Sequence, residues 1–253
     1  MNQELKNLAA CPQGWSKADL HIHTRLSDGG PTPGQVVEHV LRRTELGVIA
    51  ITDHNRIEGG LAARDLAARH GLHVVVGEEV ATADGHLLAL YIEKPIAPGL
   101  PIEETIARVH DQGGLAIAAH PFDLISSSLL GRNGRLWTEE ALVALHLDGL
   151  ETLNAGLVNH VGNIRAELLA QHLGFTSIGS SDAHHLSVIG RAYTLFPGRS
   201  AEELRRAILL GTATAAGQSW RWRQYLSWIS GCLIPRTLFR LQGAATQYAI
   251  RNT

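Results

Sequence analysis

Cysteine is nearly absent from this sequence, and its scarcity excludes two kinds of protein. The 253 residues contain two cysteines, Cys11 and Cys232, far apart and outside any Cys-x-x-Cys spacing. Neither a disulfide framework nor a thiolate zinc site is therefore expected. No apolar run reaches the roughly 18 residues that span a bilayer, and the segment MNQELKNLAACPQGW lacks the apolar core of a signal peptide. We expect a cytoplasmic protein without a transmembrane segment.

Tyrosine and phenylalanine are also scarce, at four residues each, whereas histidine is abundant, at 14. Histidine is the commonest metal ligand and a frequent acid or base, so its positions need an explanation. The net charge of −2 excludes a polyelectrolyte, although from Leu204 onward there are seven arginines and no acid. With 45% hydrophobic residues, the chain can form one large domain with a substantial core.

Short apolar segments alternate with segments of helical periodicity, which predicts an α/β fold with a mostly parallel sheet. Repetition over most of the chain favours a barrel. The predicted helices cover residues 32–46, 58–70, 101–112, 138–146, 160–173 and 201–210. The alternation stops near Gly217, which divides the chain into a domain of residues 1–216 and a helical extension of residues 217–253. The predicted strands are Asp19–Thr24, Val48–Thr52, His73–Gly77, Leu87–Ile92, Leu115–Ala119, Gly149–Leu153, Phe175–Ile178 and Ala192–Phe196.

The stretch ADLHIHTRLSDGG, residues 18–30, places polar side chains on one face of a predicted strand. Asp19, His21 and His23 occupy every second position, and side chains two apart in a strand point the same way. An acid and two imidazoles on one face are best explained by a metal ion.

Histidines and acids also follow the other apolar segments, as in Asp53-His54-Asn55, Gly77-Glu78-Glu79, His120-Pro121 and Asp182-Ala183-His184-His185. Sites in parallel α/β folds form at the carboxyl ends of strands. Imidazole and carboxylate groups suit Zn, Mn and Fe. Several carboxylates can bridge ions, so we expect two or three divalent metals lying close together.

The motifs DLHIHT, SDG, AITDHN, GEEV, GHLLALYI, AAHP and SSDAHH occur in this order along the chain. This series, over residues 17–215, resembles the PHP (polymerase and histidinol phosphatase) family. The residues within the motifs are similar to those of the stand-alone phosphoesterase and carbaryl-hydrolase-like branches. The resemblance implies a distorted (β/α)7 barrel and a trinuclear metal site.

The resemblance also implies which residues hold the metals. Glu79 is chosen over Glu78 because the family pattern is Gly-x-Glu. The first metal would be bound by His21, His23, Glu79 and Asp182, the second by Glu79, His86 and His120, and the third by Asp28, His54 and His184.

Other residues near these motifs are candidates for catalysis or substrate binding. Asp19 and Asp53 are expected to orient a ligand imidazole, and the candidate catalytic residues are His184, His185 and Asp53. Phe122-Asp123 stands after His120-Pro121, where related phosphoesterases often carry a basic residue. A phosphate partner is therefore sought among more distant arginines, with Arg56 and Arg165 as further alternatives. The candidate substrate-binding residues are Asn55, Arg132, Arg135, Asn154, His160 and Arg191.

The C-terminal extension is rich in tryptophan and arginine. Its residues Trp222, Tyr225, Leu226, Ile229 and Leu233 share one helical face. This face predicts packing against the barrel or a second subunit. The arginines leave open a weak contact with nucleic acid or an anionic surface.

Three functions are compatible with the sequence. The first is a metal-dependent phosphoesterase acting on a small phosphoester or a nucleotide. The second is a carboxyl- or carbamate-ester hydrolase on the same site, and the third is a non-catalytic, metal-stabilised binding module. The remaining histidines are expected to lie away from the site: His39, His70, His73, His110, His146 and His172.

Overall fold

The computed structural model describes residues 11–131 and 136–228, which form one sheet surrounded by helices. The strands are β1 (Trp15–Asp19), β2 (Leu46–Ile51), β3 (His73–Ala81), β4 (His86–Leu90), β5 (Leu115–Ala118), β6 (Gly149–Asn154), β7 (Ser177–Ser180), β8 (Ala192–Pro197) and β9 (Thr214–Gly217). The helices are α1 (Pro33–Arg43), α2 (Glu58–Ala67), α3 (Ile102–Asp111), α4 (Glu139–Ala144), α5 (Val161–Leu173), α6 (Ala201–Leu209) and α7 (Trp222–Trp228), with a 3-10 turn at Leu186–Val188.

The strand order is β7-β6-β5-β4-β3-β2-β1-β8-β9. The pairs β1/β2, β2/β3, β5/β6 and β6/β7 are parallel, whereas the other four are antiparallel. The two ends of the sheet approach each other, because the Thr194 hydroxyl accepts from Gly179 N at 3.1 Å and donates to Gly179 O at 2.9 Å. A Cβ at Gly179 would lie 2.4 Å from the Tyr193 carbonyl oxygen, so this approach requires glycine. The sheet is therefore a nearly closed barrel, as predicted.

The helices begin where the sequence places capping residues. Thr32 and Gln35 form a capping box at α1, with Pro33 in the first turn, and Ser200 and Glu203 form another at α6. Gly174 ends α5 in the left-handed conformation, with φ of 78°. The first six helices lie within the predicted ranges, so these predictions are confirmed.

Both faces of the sheet are buried. In β2, Val48 and Ala50 pack in the barrel interior, whereas Ile49 and Ile51 pack against α1 and α2. Helix α6 covers the amino ends of the strands, since the Thr176 hydroxyl, just before β7, donates to the Ile208 carbonyl at 2.8 Å. The opposite, carboxyl end of the barrel is left for the site.

Two strand predictions were wrong. Strand β1 ends at Asp19, where the predicted strand began, and residues 20–24 continue beyond it with an isolated bridge from Ile22 to Ala183. Strand β9 was not predicted. With the eight predicted strands it makes nine in the described chain, whereas the resemblance implied seven. The expectation of a mostly parallel sheet was also wrong, because half of the strand pairs are antiparallel.

The C-terminal extension is described as far as residue 228, where α7 ends. Of the described residues of the predicted face, Tyr225 is half-buried against the barrel, whereas Trp222 and Leu226 are exposed. Ile229 and Leu233 lie outside the described residues, and the domain boundary at 216 stays a prediction. In the described part of the chain, no helix is both long and apolar enough to cross a bilayer.

Candidate metal centre

Histidine, aspartate and glutamate side chains converge at the carboxyl end of the barrel. They form four overlapping groups of three, and within each group the ligand atoms lie within 4.8 Å of one another. The groups are His21, His23 and Asp182; His23, Asp28 and His184; His23, His54 and Glu79; and Glu79, His86 and His120. The nine residues expected to bind metals are therefore brought together.

Glu79 lies at the centre of the cluster. Its Oε1 is 2.8 Å from His86 Nδ1 and 2.9 Å from His120 Nε2. Its Oε2 is 3.1 Å from His54 Nδ1 and 3.2 Å from His21 Nε2. Strand β3 keeps its alternation through this point, so Glu78 faces the other way and accepts from Ile96 N at 2.6 Å.

The other two carboxylates extend the cluster on one side. Asp182 Oδ1 lies 3.3 Å from His23 Nε2, and Asp28 Oδ2 lies 3.1 Å from His184 Nε2. His54 Nε2 is 3.6 Å from Asp28 Oδ2, while its Nδ1 faces Glu79. Asp28 and His184, expected to share the third metal with His54, are therefore grouped with His23 instead, whereas His54 is grouped with His23 and Glu79.

The geometry of these groups fits divalent metal ions. Two ligands about 2.0–2.1 Å from a tetrahedral ion lie about 3.3 Å apart, and the nitrogen–oxygen distances across the cluster are 2.8 to 3.6 Å. His21 Nε2 and His23 Nε2 are buried and make no hydrogen bond of normal geometry. Because a buried unpaired nitrogen is costly, these two atoms favour a bound cation.

The charges in the cluster are strongly coupled. Burial alone would raise the pKa of the Glu79 carboxyl, but His54, His86 and His21 hold it well below its usual range. Burial lowers the pKa of His54, yet Glu79 and Asp28 outweigh it and raise that pKa to about 9. The carboxylates thus stay ionised and attract positive charge, which protons supply in the absence of metal and which a divalent ion replaces.

The backbone is strained at the site. Asn55, His120 and Asp182 have φ of 53°, 27° and 50°, in a region that residues other than glycine rarely adopt. Asn55 is held there by bonds to β3, since its N donates to Glu79 O at 3.0 Å and its Oδ1 accepts from Ala81 N at 2.8 Å. Such strain is typical of functional sites, where it aims side chains that regular strands would direct elsewhere.

Glu151 is a buried acid that the sequence reasoning missed. Its Oε1 accepts from His21 Nδ1 at 2.9 Å, which directs His21 Nε2 toward the cluster. Its Oε2 accepts from His120 N at 2.6 Å and from Asn154 Nδ2 at 2.9 Å. The available signal was a lone acid in the predicted strand Gly149–Leu153, because charged residues are rarely fully buried without a partner.

Asp19 and Asp53, expected to orient an imidazole, make their hydrogen bonds elsewhere. Asp19 accepts from Ser181 N and Gly190 N at 3.0 and 2.8 Å. Asp53 accepts from Thr24 N at 2.6 Å and from the Thr24 hydroxyl at 2.7 Å. They position the backbone around the ligands, and Glu151 makes the imidazole contact instead. Participation of Asp53 in catalysis stays a prediction.

A cavity of about 250 Å³ opens beside the cluster. Asn154 lines it and donates to Asp182 Oδ2 at 3.1 Å. His185, His160 and Arg191 are not among the described lining residues, and Asn55 is engaged with β3. His160 and Arg191 instead contact the segment after β9, at Ser219. Their contact with substrate and proton donation by His185 stay predictions.

The alternative arginines have other partners or fall outside the description. Arg56 Nη1 donates to Leu26 O at 2.7 Å, and Arg165 stacks 4.3 Å from the centre of the Phe122 ring. Arg132 and Arg135 lie outside the described residues.

The six histidines expected to lie elsewhere are absent from the metal groups of the described chain; His110, for example, pairs with Asp148 at 2.9 Å.

Comparisons with known proteins place this geometry in a family. A profile described as PHP-associated matches residues 161–213. The uncharacterized protein MJ1587 of Methanocaldococcus jannaschii is 39% identical over 159 residues, which cover 57% of this chain and 88% of that protein. The chain belongs to the PHP family. The 3′,5′-nucleoside bisphosphate phosphatase of Chromobacterium violaceum is 40% identical over 87 residues, which cover 32% of this chain and 30% of that enzyme.

A solved structure gives the same architecture. A two-domain protein of Bacteroides vulgatus, which contains a predicted PHP-like metal-dependent phosphoesterase, superposes with a TM-score of 0.65 at 20% identity. The match covers 84% of this chain and 69% of that chain. The likeness supports the barrel class of this PHP protein, although the number of strands differs from the seven expected.

Proposed function

We infer that this PHP protein is a metal-dependent phosphoester hydrolase. The observation that carries the inference is the shared carboxylate of Glu79, whose two oxygens face imidazoles on both sides within 2.8 to 3.3 Å. A bridging carboxylate between adjacent ions is typical of hydrolases that act on phosphoesters with two or more metals. The clustered ligands and family membership together favour an enzyme over a non-catalytic binding module.

We propose two or three divalent ions, of manganese, zinc or iron, in this centre. When bound, such ions polarise the phosphoryl oxygens and activate a water molecule for attack. The residues proposed to hold them are His21, His23, Asp28, His54, Glu79, His86, His120, Asp182 and His184.

The protein's own side chains orient these ligands and shape the cavity. Glu151 fixes the ring of His21, and Asn154 holds the carboxylate of Asp182. Leu157 and Trp220 are buried at the cavity wall and exclude water from one side of the centre. Prepositioned ligands need no rearrangement during the reaction, which is how a rigid site lowers the barrier.

The proposed substrate is a small phosphoester or a nucleotide. The cavity, at about 250 Å³, lies just below the ~300–1,000 Å³ range of ligand pockets, which favours a small substrate. The relative from Chromobacterium violaceum acts on a nucleoside bisphosphate by its name. The proposed location is the cytoplasm, in keeping with the free thiol of Cys11 among the described residues. Exposed Arg221 and Arg223 support a weak contact of the extension with nucleic acid or an anionic surface.

The test is hydrolysis of p-nitrophenyl phosphate, bis-p-nitrophenyl phosphate and p-nitrophenyl acetate by the full chain, with Mn²⁺ and with chelator. We expect chelator-sensitive turnover of a phosphoester above the acetate rate. The variant His54→Asn with His184→Asn should lose this turnover, whereas His172→Asn, at an exposed pair with Glu139, should retain it. Turnover of acetate alone would contradict a phosphoesterase.

A carboxyl- or carbamate-ester hydrolase is the second proposal. It is favoured by one observation: among the described residues, no lysine or arginine lines the cavity, and Asp123 does. A cavity without lysine or arginine also accepts a neutral ester. Acetate turnover in the same assay identifies this function.

A further inference from the structure

One side of the cavity is apolar, opposite the histidines and carboxylates. We name this side the apolar wall; it consists of Ile125, Leu157, Val158, Trp220 and Tyr225. Ile125 and Val158 are each 61% exposed at the cavity mouth, whereas Trp220 is 6% exposed at the inner end. Large apolar side chains exposed together beside a polar centre mark a binding surface.

The aromatic residues of the apolar wall come from the segment after β9, and their polar atoms are already satisfied. Trp220 Nε1 donates to Ser181 O at 2.9 Å, and Trp220 N donates to Ala155 O at 2.8 Å. The Tyr225 hydroxyl donates to Leu157 O at 3.1 Å. The carbonyls of Ala155 and Leu157 follow β6, and that of Ser181 follows β7 and directly precedes Asp182. The hydrogen bonds therefore fix both rings at the rim of the metal centre.

Hydrogen bonds also fix the residues that precede Trp220. Gln218 N donates to Arg191 O at 2.7 Å, and Arg191 Nη2 donates to Ser219 O at 2.8 Å. The Ser219 hydroxyl lies 3.0 Å from His160 Nδ1. The apolar wall is thus built before substrate arrives, and a prepositioned surface loses little entropy on binding.

The chemistry of the cavity indicates what the wall binds. The metal-ligand side suits the phosphoryl group, and the described lining offers no lysine or arginine for a second anionic group. Flat aromatic groups pack favourably on aromatic and aliphatic side chains. We propose that the apolar wall, with Trp220 and Tyr225 from the C-terminal segment, binds a planar aromatic group in the organic part of the substrate. This inference rests on the proposed phosphoesterase function.

The test compares substrates with and without an aromatic ring in Val158→Ser and Ile125→Ser. Both side chains are exposed, so these variants should fold normally. The matched control is Val161→Ser, since Val161 is 56% exposed but does not line the cavity. The substrates are p-nitrophenyl phosphate, adenosine monophosphate and glycerol phosphate, each with Mn²⁺.

We expect Val158→Ser to raise KM about five- to tenfold for the aromatic substrates, because it removes apolar contact area. The kcat values, the glycerol phosphate kinetics and all values for Val161→Ser should stay unchanged. A change confined to one aromatic substrate identifies the ring as an aryl group or as a nucleobase. Equal changes for all three substrates, or none, would overturn the proposal.

A binding measurement separates this inference from the proposed function. Tryptophan fluorescence of the full chain is titrated with adenosine, which carries no phosphate. If no phosphoester is hydrolysed, the phosphoesterase function fails. Adenosine binding that Val158→Ser weakens and Val161→Ser does not would still support the wall. No adenosine binding, together with no specific effect of Val158→Ser on p-nitrophenyl phosphate, would overturn it.

Discussion

At the scale of single residues, the centre depends on two buried glutamates with different tasks. Glu79 faces the cavity and has imidazoles on both of its oxygens. Glu151 lies behind the ligands and contacts His21 through Nδ1, the nitrogen that points away from the cluster. A metal-binding histidine commonly donates its second ring nitrogen to a carboxylate, which sets the tautomer and the ring orientation. We therefore expect Glu151 to orient the His21 ring without binding a metal ion itself.

Replacing Glu151 with glutamine tests this positioning. The Glu151→Gln variant keeps the shape of the side chain but loses the charge that holds the His21 ring. We expect metal affinity to fall about 10- to 100-fold, measured by titration calorimetry with Mn²⁺. Saturating metal should restore part of kcat, which complete loss of a direct ligand would not allow.

The control for this variant is Glu140→Gln, an exposed acid in α4. It should bind metal as the unchanged protein does. Equal affinities of Glu151→Gln and Glu140→Gln would show that Glu151 has no part in orienting His21.

The ligands could be predicted from the sequence because each follows an apolar segment within a recognisable motif. Glu151 could not, since its partners His21 and His120 are 130 and 31 residues away in the chain. Arg191 was matched to substrate as an alternative phosphate partner, and His160 because it stands in a loop before a predicted helix. Their partner, Ser219, is a residue of the C-terminal segment that sequence reasoning had not brought to the site.

At the scale of elements, local signals determined what was predictable. Helices α1 and α6 have capping boxes that the sequence displays directly. Strand β9 is the four-residue segment TAAG, which has no strong strand preference and forms by pairing with β8. Strand β1 contains Lys17, whose amine lies 5.1 Å from the centre of the Tyr193 ring and pairs with Glu45, so the strand has no apolar pattern at this position.

The capping box of α6 predicts a dependence of stability on pH. Hydrogen bonds from Arg199 N and from the Ser200 hydroxyl lower the pKa of Glu203 to about 2. The pKa of a glutamate in the unfolded chain is about 4.3. Because folding lowers the pKa of Glu203, the ionised carboxylate stabilises the folded protein above that pH, and this stabilisation is lost as the pH falls toward the pKa in the folded protein. The stability advantage over Glu203→Gln should therefore shrink as pH falls below about 5.

The measurement is the urea midpoint of both proteins at neutral and mildly acidic pH. Because Glu203 is exposed on the surface, the difference should also decrease at high salt. An advantage that is constant across this pH interval would contradict a charge-dependent cap.

At the scale of the whole molecule, the centre joins residues from His21 to His184, so the ligands meet only when the barrel is complete. Buried carboxylates and imidazoles are packed together there, and the Nε2 atoms of His21 and His23 are among the buried nitrogens that make no hydrogen bond. Metal binding is therefore coupled to folding.

Metal should stabilise the full chain against heat. At a free concentration 100 times the dissociation constant, binding adds about 2.7 kcal/mol, which corresponds to a rise in Tm of about 5–10 °C for a domain of this size. Scanning calorimetry with Mn²⁺ and with chelator measures the difference. The variant Glu79→Gln should show little of it, and an equal rise in that variant would place the binding outside this centre.

The division of the site between the barrel and the segment after β9 has an evolutionary consequence. All proposed metal ligands precede residue 185, whereas the aromatic rings of the apolar wall follow residue 217. If the apolar wall binds substrate as proposed, substitutions in that last segment change which substrates are accepted and leave the identity of every proposed ligand unchanged. Related proteins can therefore diverge in substrate through changes in the segment after β9 while they keep the same proposed metal ligands.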